Sequence, residues 1–469
     1  MHSDILVPSP EDQEPAIGIL ASGSIKRAVA GALVAVSAAC ASGPIQVETA
    51  AIVMPDTASR PVLRMRKPAP ARNFWTAMVN LDPDYPKAHP TTVDERRFAD
   101  ALRMAMAGDA DNAELLLDSL QRQTTDALVQ SSSRILLTAM LQYQNKWKDL
   151  GELAIARTTQ LDSLDGDRAG VEFWASAFKG VPDRQIVFPA EPVVLRLTLS
   201  AAATPVIPIQ INGKPKLFWL DTGSSMSIIA SDVALECGVE PLVRDTLEVA
   251  TTTGRVPARP AAIKRLDLGG ISITNSTAMI VSSELMQVGI ADPGNPAATK
   301  KIDGVVGFDI ISRLNVQIDY VNGTVRLTKS VRKSADASRR NLFWVGTPIV
   351  RLIGPGGIPV HLGLDTGAQE TYATERMLGK FRVRTFLGER QQVGGLAGTK
   401  TFRGRFVRNL RLALGDRNFL FQKLLIFAPA AASVVNLDGV LGSDIGRTEI
   451  VQIDATNGIF SVEAPAQRR

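Results

Sequence analysis

The tripeptide Asp-Thr-Gly stands twice in this 469-residue chain, at Asp221-Thr222-Gly223 and Asp365-Thr366-Gly367, each time inside the same longer pattern. One such tripeptide constrains little, because Asp and Gly are ordinary turn residues. The surroundings constrain far more. Each copy follows an apolar run, Leu217-Phe218-Trp219-Leu220 or Val360-His361-Leu362-Gly363-Leu364. Further on come Asp303-Gly304-Val305-Val306-Gly307-Phe308-Asp309 and Asp438-Gly439-Val440-Leu441-Gly442-Ser443-Asp444. Gln317-Ile318-Asp319 with Asn322-Gly323 is matched by Gln452-Ile453-Asp454 with Asn457-Gly458. From Asp303 to Gly323 every landmark recurs at one offset, 135 residues. The chain holds two copies of one unit, and that duplication governs every local reading inside it.

A duplicated unit with one carboxylate per copy predicts a pseudo-twofold pair, Asp221 meeting Asp365 at the axis. Two carboxylates that close cannot both ionise cheaply, since each negative charge raises the other group's pKa. The pair then shares a proton. One member is a base for a water molecule, and the other an acid for a carbonyl oxygen and later a leaving amine.

Apolar run, Asp-Thr-Gly-Ser/Ala, glycine-containing hairpin, then Asp-Gly-φ-φ-Gly-φ-Asp (φ apolar) resembles the retropepsin-like aspartyl proteases of bacteria. Ser224 and Ala368 fit the variable fourth position, while Ser443 departs from the apolar Phe308 of the first copy. The resemblance covers roughly residues 190–466. It implies an all-β bilobal acid-protease fold of two pseudo-twofold-related β-barrel halves, with Asp221 and Asp365 as catalytic residues. It also implies that Thr222 and Thr366 hydrogen-bond across the axis beneath them. Gly223 and Gly367 would let backbone N–H groups approach the carboxylates, having no side chain to obstruct them. With both halves on one chain, a monomeric active unit is expected.

Between each Asp-Thr-Gly and its Asp-Gly motif lies a candidate flap. The first spans residues 247–256 and includes Thr253 and Gly254, and the second spans 392–399 and includes Gly394 and Gly395. Both read as hairpins, strand-forming residues around a glycine-containing turn. Clustered glycines make the second the expected mobile lid, and β-branched threonines make the first a stiffer wall. Asp303, Asp309, Asp438 and Asp444 fall at turns and helix starts, where a carboxylate caps free N–H groups.

Other chemistries find little support. The two cysteines, Cys40 and Cys237, provide no disulfide framework. The three histidines, His2, His89 and His361, are too scattered for zinc, so neither metal nor cofactor is expected. His361 lies in an apolar run and reads as a core residue. A net charge of +5 makes no case for nucleic acid.

Lys26-Arg27, the apolar stretch Ala28 to Ala39, and Cys40-Ala41-Ser42-Gly43 form the layout of a secretory signal over residues 1–41. Ala38-Ala39-Cys40 resembles a bacterial lipoprotein signal with Cys40 as the lipidated residue, and cleavage after Ala41 is the alternative. The expected location is periplasmic, or membrane-anchored through that lipid. Residues 42–91, rich in Pro and Ala, read as a tether. Residues 92–180 read as a helical-hairpin domain, opened by a Thr92/Glu95 capping box and broken at Gly108 and Asn145. Its spacing resembles tetratricopeptide hairpins loosely, which implies a protein partner. Residues 186–466 form the protease domain, in halves 186–329 and 341–466. The function implied is an aspartic endopeptidase acting on polypeptide. The alternative is a catalytically silent periplasmic peptide-binding or assembly factor.

Overall fold

The 135-residue offset in sequence becomes a twofold axis in space. In the computed structural model the strands Leu314–Asp319 and Ile450–Asp454 lie antiparallel, with Gln317 opposite Gln452, Val316 opposite Ile453 and Ile318 opposite Val451. Gln317 and Gln452 are the same position of the repeat, and equivalent residues face each other in this way only where a twofold passes between them. Leu314, Val316 and Ile318 point inward and Asn315, Gln317 and Asp319 do not, the alternation that a one-sided strand requires. The strands Thr324–Lys329, Ile459–Glu463 and Val193–Arg196 complete a five-stranded sheet joining the two halves. The described residues are 45–49, 73–155, 168–286, 289–292, 295–332, 340–381, 383–429 and 434–465.

Each half adds a nine-stranded sheet, and the strand orders correspond one to one. The hairpin Pro205–Ile211/Lys214–Leu220 leads into Asp221, and Pro348–Ile353/Pro359–Leu364 leads into Asp365. Asn212 and Gly213 both take positive φ (49° and 84°), as a two-residue hairpin turn demands. Lys214–Leu220 then runs parallel to Gly304–Val306, and Pro359–Leu364 parallel to Gly439–Leu441. The chain thus adopts the all-β bilobal fold, preceded by a helical region.

That region comprises α1 (Phe74–Val79), α2 (Val93–Met106), α3 (Ala110–Gln123), α4 (Ala127–Tyr143), α5 (Trp147–Ile155) and α6 (Arg168–Phe178). Thr92 and Glu95 make the full capping box at the start of α2. Gly108 (φ 74°) and Asn145 (φ 59°) take left-handed backbone in the α2–α3 and α4–α5 turns. Consecutive helices pack on their apolar stripes, with Leu102, Leu117, Leu120, Met140 and Leu150 almost fully buried.

The expected tether over 42–91 needs correction in two places. Helix α1 is a packed element, capped by Asn73 and with Phe74 set edge-on to Phe98 at 6.3 Å. Ile45–Thr49 is a strand, antiparallel to Arg417–Ile426 in the second half. It takes the place that Gln185–Val187 takes in the first half, against Ile271–Val281. The segment before the helices therefore completes the second sheet, and the segment after them completes the first. In the first half a further hairpin pairs Gly289–Asp292 with Asn295–Lys301. The signal segment 1–41, with Cys40, lies outside the described residues.

The helical region rests on both halves at once. The Tyr143 ring stacks on Trp344 of the second half at 3.8 Å and lies 5.3 Å from Phe308 of the first. Arg184, just beyond the helices, pairs with Asp309 at 2.8 Å and also reaches Thr277 and Asn145. On the other side the Asn436 amide donates to the Val79 carbonyl at 2.7 Å, and Arg376 donates to Asn80.

Candidate active site

Asp221 and Asp365 each sit one residue beyond a strand that ends on a buried leucine, Leu220 or Leu364, on loops brought together at the axis. Four hydrogen bonds cross between those loops. The Thr222 amide donates to Thr366 Oγ1 (3.0 Å) and the Thr222 hydroxyl to the Leu364 carbonyl (2.9 Å). The Thr366 amide donates to Thr222 Oγ1 (2.9 Å) and the Thr366 hydroxyl to the Leu220 carbonyl (2.7 Å). Both threonines are buried. Each hydroxyl satisfies two backbone groups of the opposite loop, so neither loop shifts without exposing polar groups inside the protein.

Above this lattice the carboxylates are held from their own loops. Gly223 N–H donates to Asp221 Oδ1 at 2.8 Å, and Ala368 N–H to Asp365 Oδ1 at 2.9 Å. A Cβ on Gly223 would lie 2.4 Å from Asp365 Cγ, and one on Gly367 would lie 2.5 Å from Asp221 Cγ. Only glycine fits at either place. The two carboxyl groups face each other at the axis, each packed on the glycine of the opposite loop. Burial pushes the Asp221 pKa up, against the hydrogen bonds from Asp365 and from backbone amides that pull it down. Burial, reinforced by the Asp221 charge and hydrogen bond, pushes Asp365 well above the usual carboxylate range. Two carboxyl groups this close favour protonation of one member over ionisation of both.

The other repeated aspartates brace the loops from behind, and not as caps of their own helices. Asp303 accepts the Leu217 amide (2.7 Å) and Asp438 the His361 amide (2.8 Å), each at the same point of the strand entering its Asp-Thr-Gly. Asp309 accepts the Ser227 hydroxyl at 2.9 Å. Asp444 accepts both the hydroxyl (2.7 Å) and the amide (2.9 Å) of Thr371. Ser227 and Thr371 stand six residues after their aspartates, a register the repeat contained and sequence reading passed over. Ser443 is no simple loss of Phe308, because its hydroxyl donates to the Thr366 carbonyl at 2.6 Å. His361 is buried, and burial lowers its pKa to about 4, leaving it uncharged.

The flap hairpins are Leu247–Ala250 with Arg255–Leu268, and Thr385–Gly395 with Gly398–Leu414. Their tips touch. A Cβ on Gly254 would meet that of Ala397 at 3.0 Å, and one on Gly395 would come within 2.7 Å of Thr253 Oγ1. Thr253 is buried by this contact. Gly394 borders open space, and the left-handed residue of the second tip is Gly398 (φ 95°), so neither Gly394 nor Gly395 is there for positive φ. Helix α6 packs against both strands of the first flap. Tyr372, which sequence reading also passed over, is half-buried near the dyad; desolvation and then the Asp365 charge raise its hydroxyl pKa. Its repeat counterpart is Ile228, so no symmetry pointed to it. Among the described residues no group of three His, Cys, Asp or Glu side chains is arranged to hold a metal ion.

With this geometry in hand, the family model described as "gag-polyprotein putative aspartyl protease" matches residues 207–291, which include Asp221 and the first flap. An aspartic proteinase from Irpex lacteus is similar at 12% identity and a TM-score of 0.38, over 59% of this chain and 98% of that one. A retropepsin-like aspartic protease from Rickettsia conorii is similar at 13% identity and a TM-score of 0.21, over 31% of this chain and 92% of that one. A search of curated proteins found no match.

Proposed function

We propose that the chain is an aspartic endopeptidase that hydrolyses polypeptide with a water molecule activated between Asp221 and Asp365. The observation carrying this reading is the pair of carboxylates brought together at the axis by the crossed threonines, each against the glycine of the opposite loop. The ionised member takes a proton from water, and the protonated member donates to the scissile carbonyl oxygen. Collapse of the resulting tetrahedral species expels the amine, which takes up a proton, without a covalent enzyme intermediate. Thr222, Gly223, Thr366 and Gly367 hold the pair. Substrate lies extended beneath Thr253, Gly254, Gly394 and Gly395, its backbone bonding to flap strands. Both carboxylates come from one chain, so the active unit is a monomer.

The test is hydrolysis of a peptide library by the purified protein beside Asp221→Asn and Asp365→Asn. Each substitution should abolish turnover while leaving the fold intact, since either carboxylate alone lacks its partner. Near-normal turnover by either variant refutes the assignment. Residues 1–41 direct export in this proposal, with Cys40 as the lipid-bearing residue. Fractionation should place the protein outside the cytoplasm, and Cys40→Ser should release it from membranes.

A further inference from the structure

The two flaps carry different charge. The strands of the second hold Arg390, Lys400, Arg403, Arg405, Arg408 and Arg411 against one carboxylate, Glu389. Those of the first hold Arg255, Arg259, Lys264 and Arg265 against Glu248 and Asp267. In the second flap Arg390 lies directly across the ladder from Arg403, and Arg408 directly across from Lys423. Like charges directly opposite in a sheet are destabilising. The fold relieves one pair: Arg408 lies 4.0 Å over the Phe386 ring and Lys423 4.2 Å over the Phe406 ring. Arg405 pairs with Glu375. Arg390, Lys400 and Arg403 are exposed and form no ion pair among the described residues.

Charge on a ribbon, lysine especially, guards it against edge-to-edge pairing, but that purpose needs only scattered charges and no long run of one sign. A ribbon charged almost wholly with one sign is built toward an opposite charge. Its position says what carries that charge. Lys400 pairs with Val393, on the face whose Val393 and Phe402 pack with Tyr372 against Phe406, Leu425 and Phe427. Tyr372 lies opposite Val440, itself opposite Gly363 on the strand that leads into Asp365, so the face carrying Lys400 is the cleft side of the flap, while Arg390 and Arg403 share the opposite face. A chain threading beneath the tip passes Lys400, and one approaching from outside meets the arginines first.

We propose that the second flap selects acidic polypeptide, with Lys400, Arg390 and Arg403 as its specificity determinants. The proposal rests on the endopeptidase reading and names its substrate class. A one-sign field beside a cleft concentrates an oppositely charged ligand and speeds its capture by about tenfold or more.

Binding is measured by fluorescence anisotropy on Asp221→Asn, with two labelled peptides identical except for glutamates in one and glutamines in the other. The acidic peptide should bind about tenfold tighter, with a preference that shrinks as salt is raised. Adding Arg390→Gln, Lys400→Gln and Arg403→Gln should bring its affinity down to that of the neutral peptide. Equal binding of the two peptides, or a preference that survives the triple substitution, overturns the proposal. So does retention on phosphatidylglycerol vesicles, lost in the triple variant, without preference between the peptides; the ribbon would then face an anionic membrane. Hydrolysis by the wild-type protein is scored separately. If it cuts neither peptide nor the library while the binding preference stands, the endopeptidase reading fails and the acidic-ligand site remains.

Discussion

Replacing Thr366 with valine keeps the shape of the side chain and deletes one hydroxyl, and its cost can be worked from the lattice. That hydroxyl donates to the Leu220 carbonyl at 2.7 Å and accepts the Thr222 amide at 3.0 Å. Both groups would be left without partners in a buried position. An orphaned buried polar group costs about 1–3 kcal/mol, so the substitution should destabilise by about 2–6 kcal/mol. Total stabilities of about 5–15 kcal/mol are usual, so the loss is a large fraction of the whole. Leu220 and Thr222 flank Asp221, so turnover should also fall, by about 100-fold if the carboxylate drifts by about 1 Å. Thr366→Ser keeps the hydroxyl and loses one methyl, a change of about 1 kcal/mol. Denaturant unfolding with an unchanged slope measures the stability, and kcat on a cleavable peptide measures the geometry. Should Thr366→Val lie within about 0.5 kcal/mol of wild type, a change no larger than an ordinary surface substitution makes, the lattice does not support the loops. A serine variant as damaged as the valine would show that the methyl, not the hydrogen bonds, matters.

The raised pKa of Asp365 makes the dyad a destabilising element at neutral pH. Below the unfolded value, about 3.9, both states are protonated and burial carries no charge penalty; stability is then lost as pH rises through the folded pKa. Asp365→Asn should therefore be more stable than wild type at neutral pH and lose that advantage in acid, as read from unfolding midpoints across pH. Tyr143→Ala removes a ring stacked between the halves and should cost about 3–5 kcal/mol by denaturant unfolding. For the same reason a fragment beginning at residue 186 should aggregate or lose peptide hydrolysis, because Phe308 and Trp344 lose their cover. At the flap tips, Gly395→Ala meets Thr253 and should reduce kcat/KM, whereas Gly394→Ala enters open space and should be nearly neutral.

What the sequence determined by itself was everything the duplication repeats. A fixed offset carries the same contacts in both copies, so Gln317 had to meet Gln452 across an axis, and the Asp-Thr-Gly loops had to adjoin it. The threonine crossings follow, because a symmetric pair of buried loops must satisfy its polar groups mutually. Ser227 and Thr371 were legible by the same rule. Only the tertiary structure decided what breaks the symmetry. Tyr143 wedged between Phe308 and Trp344, Arg184 on Asp309, and Ile45–Thr49 in the second sheet are pairings across long stretches of chain. No periodicity, propensity or motif marks them, since each depends on which surface the folded halves leave uncovered. The second flap divides in the same way. Its arginines could be counted in the sequence, but their opposition across one ladder and the cleft-side place of Lys400 come from register. A shift of one residue would turn every side chain to the other face, and hairpin geometry sets that register.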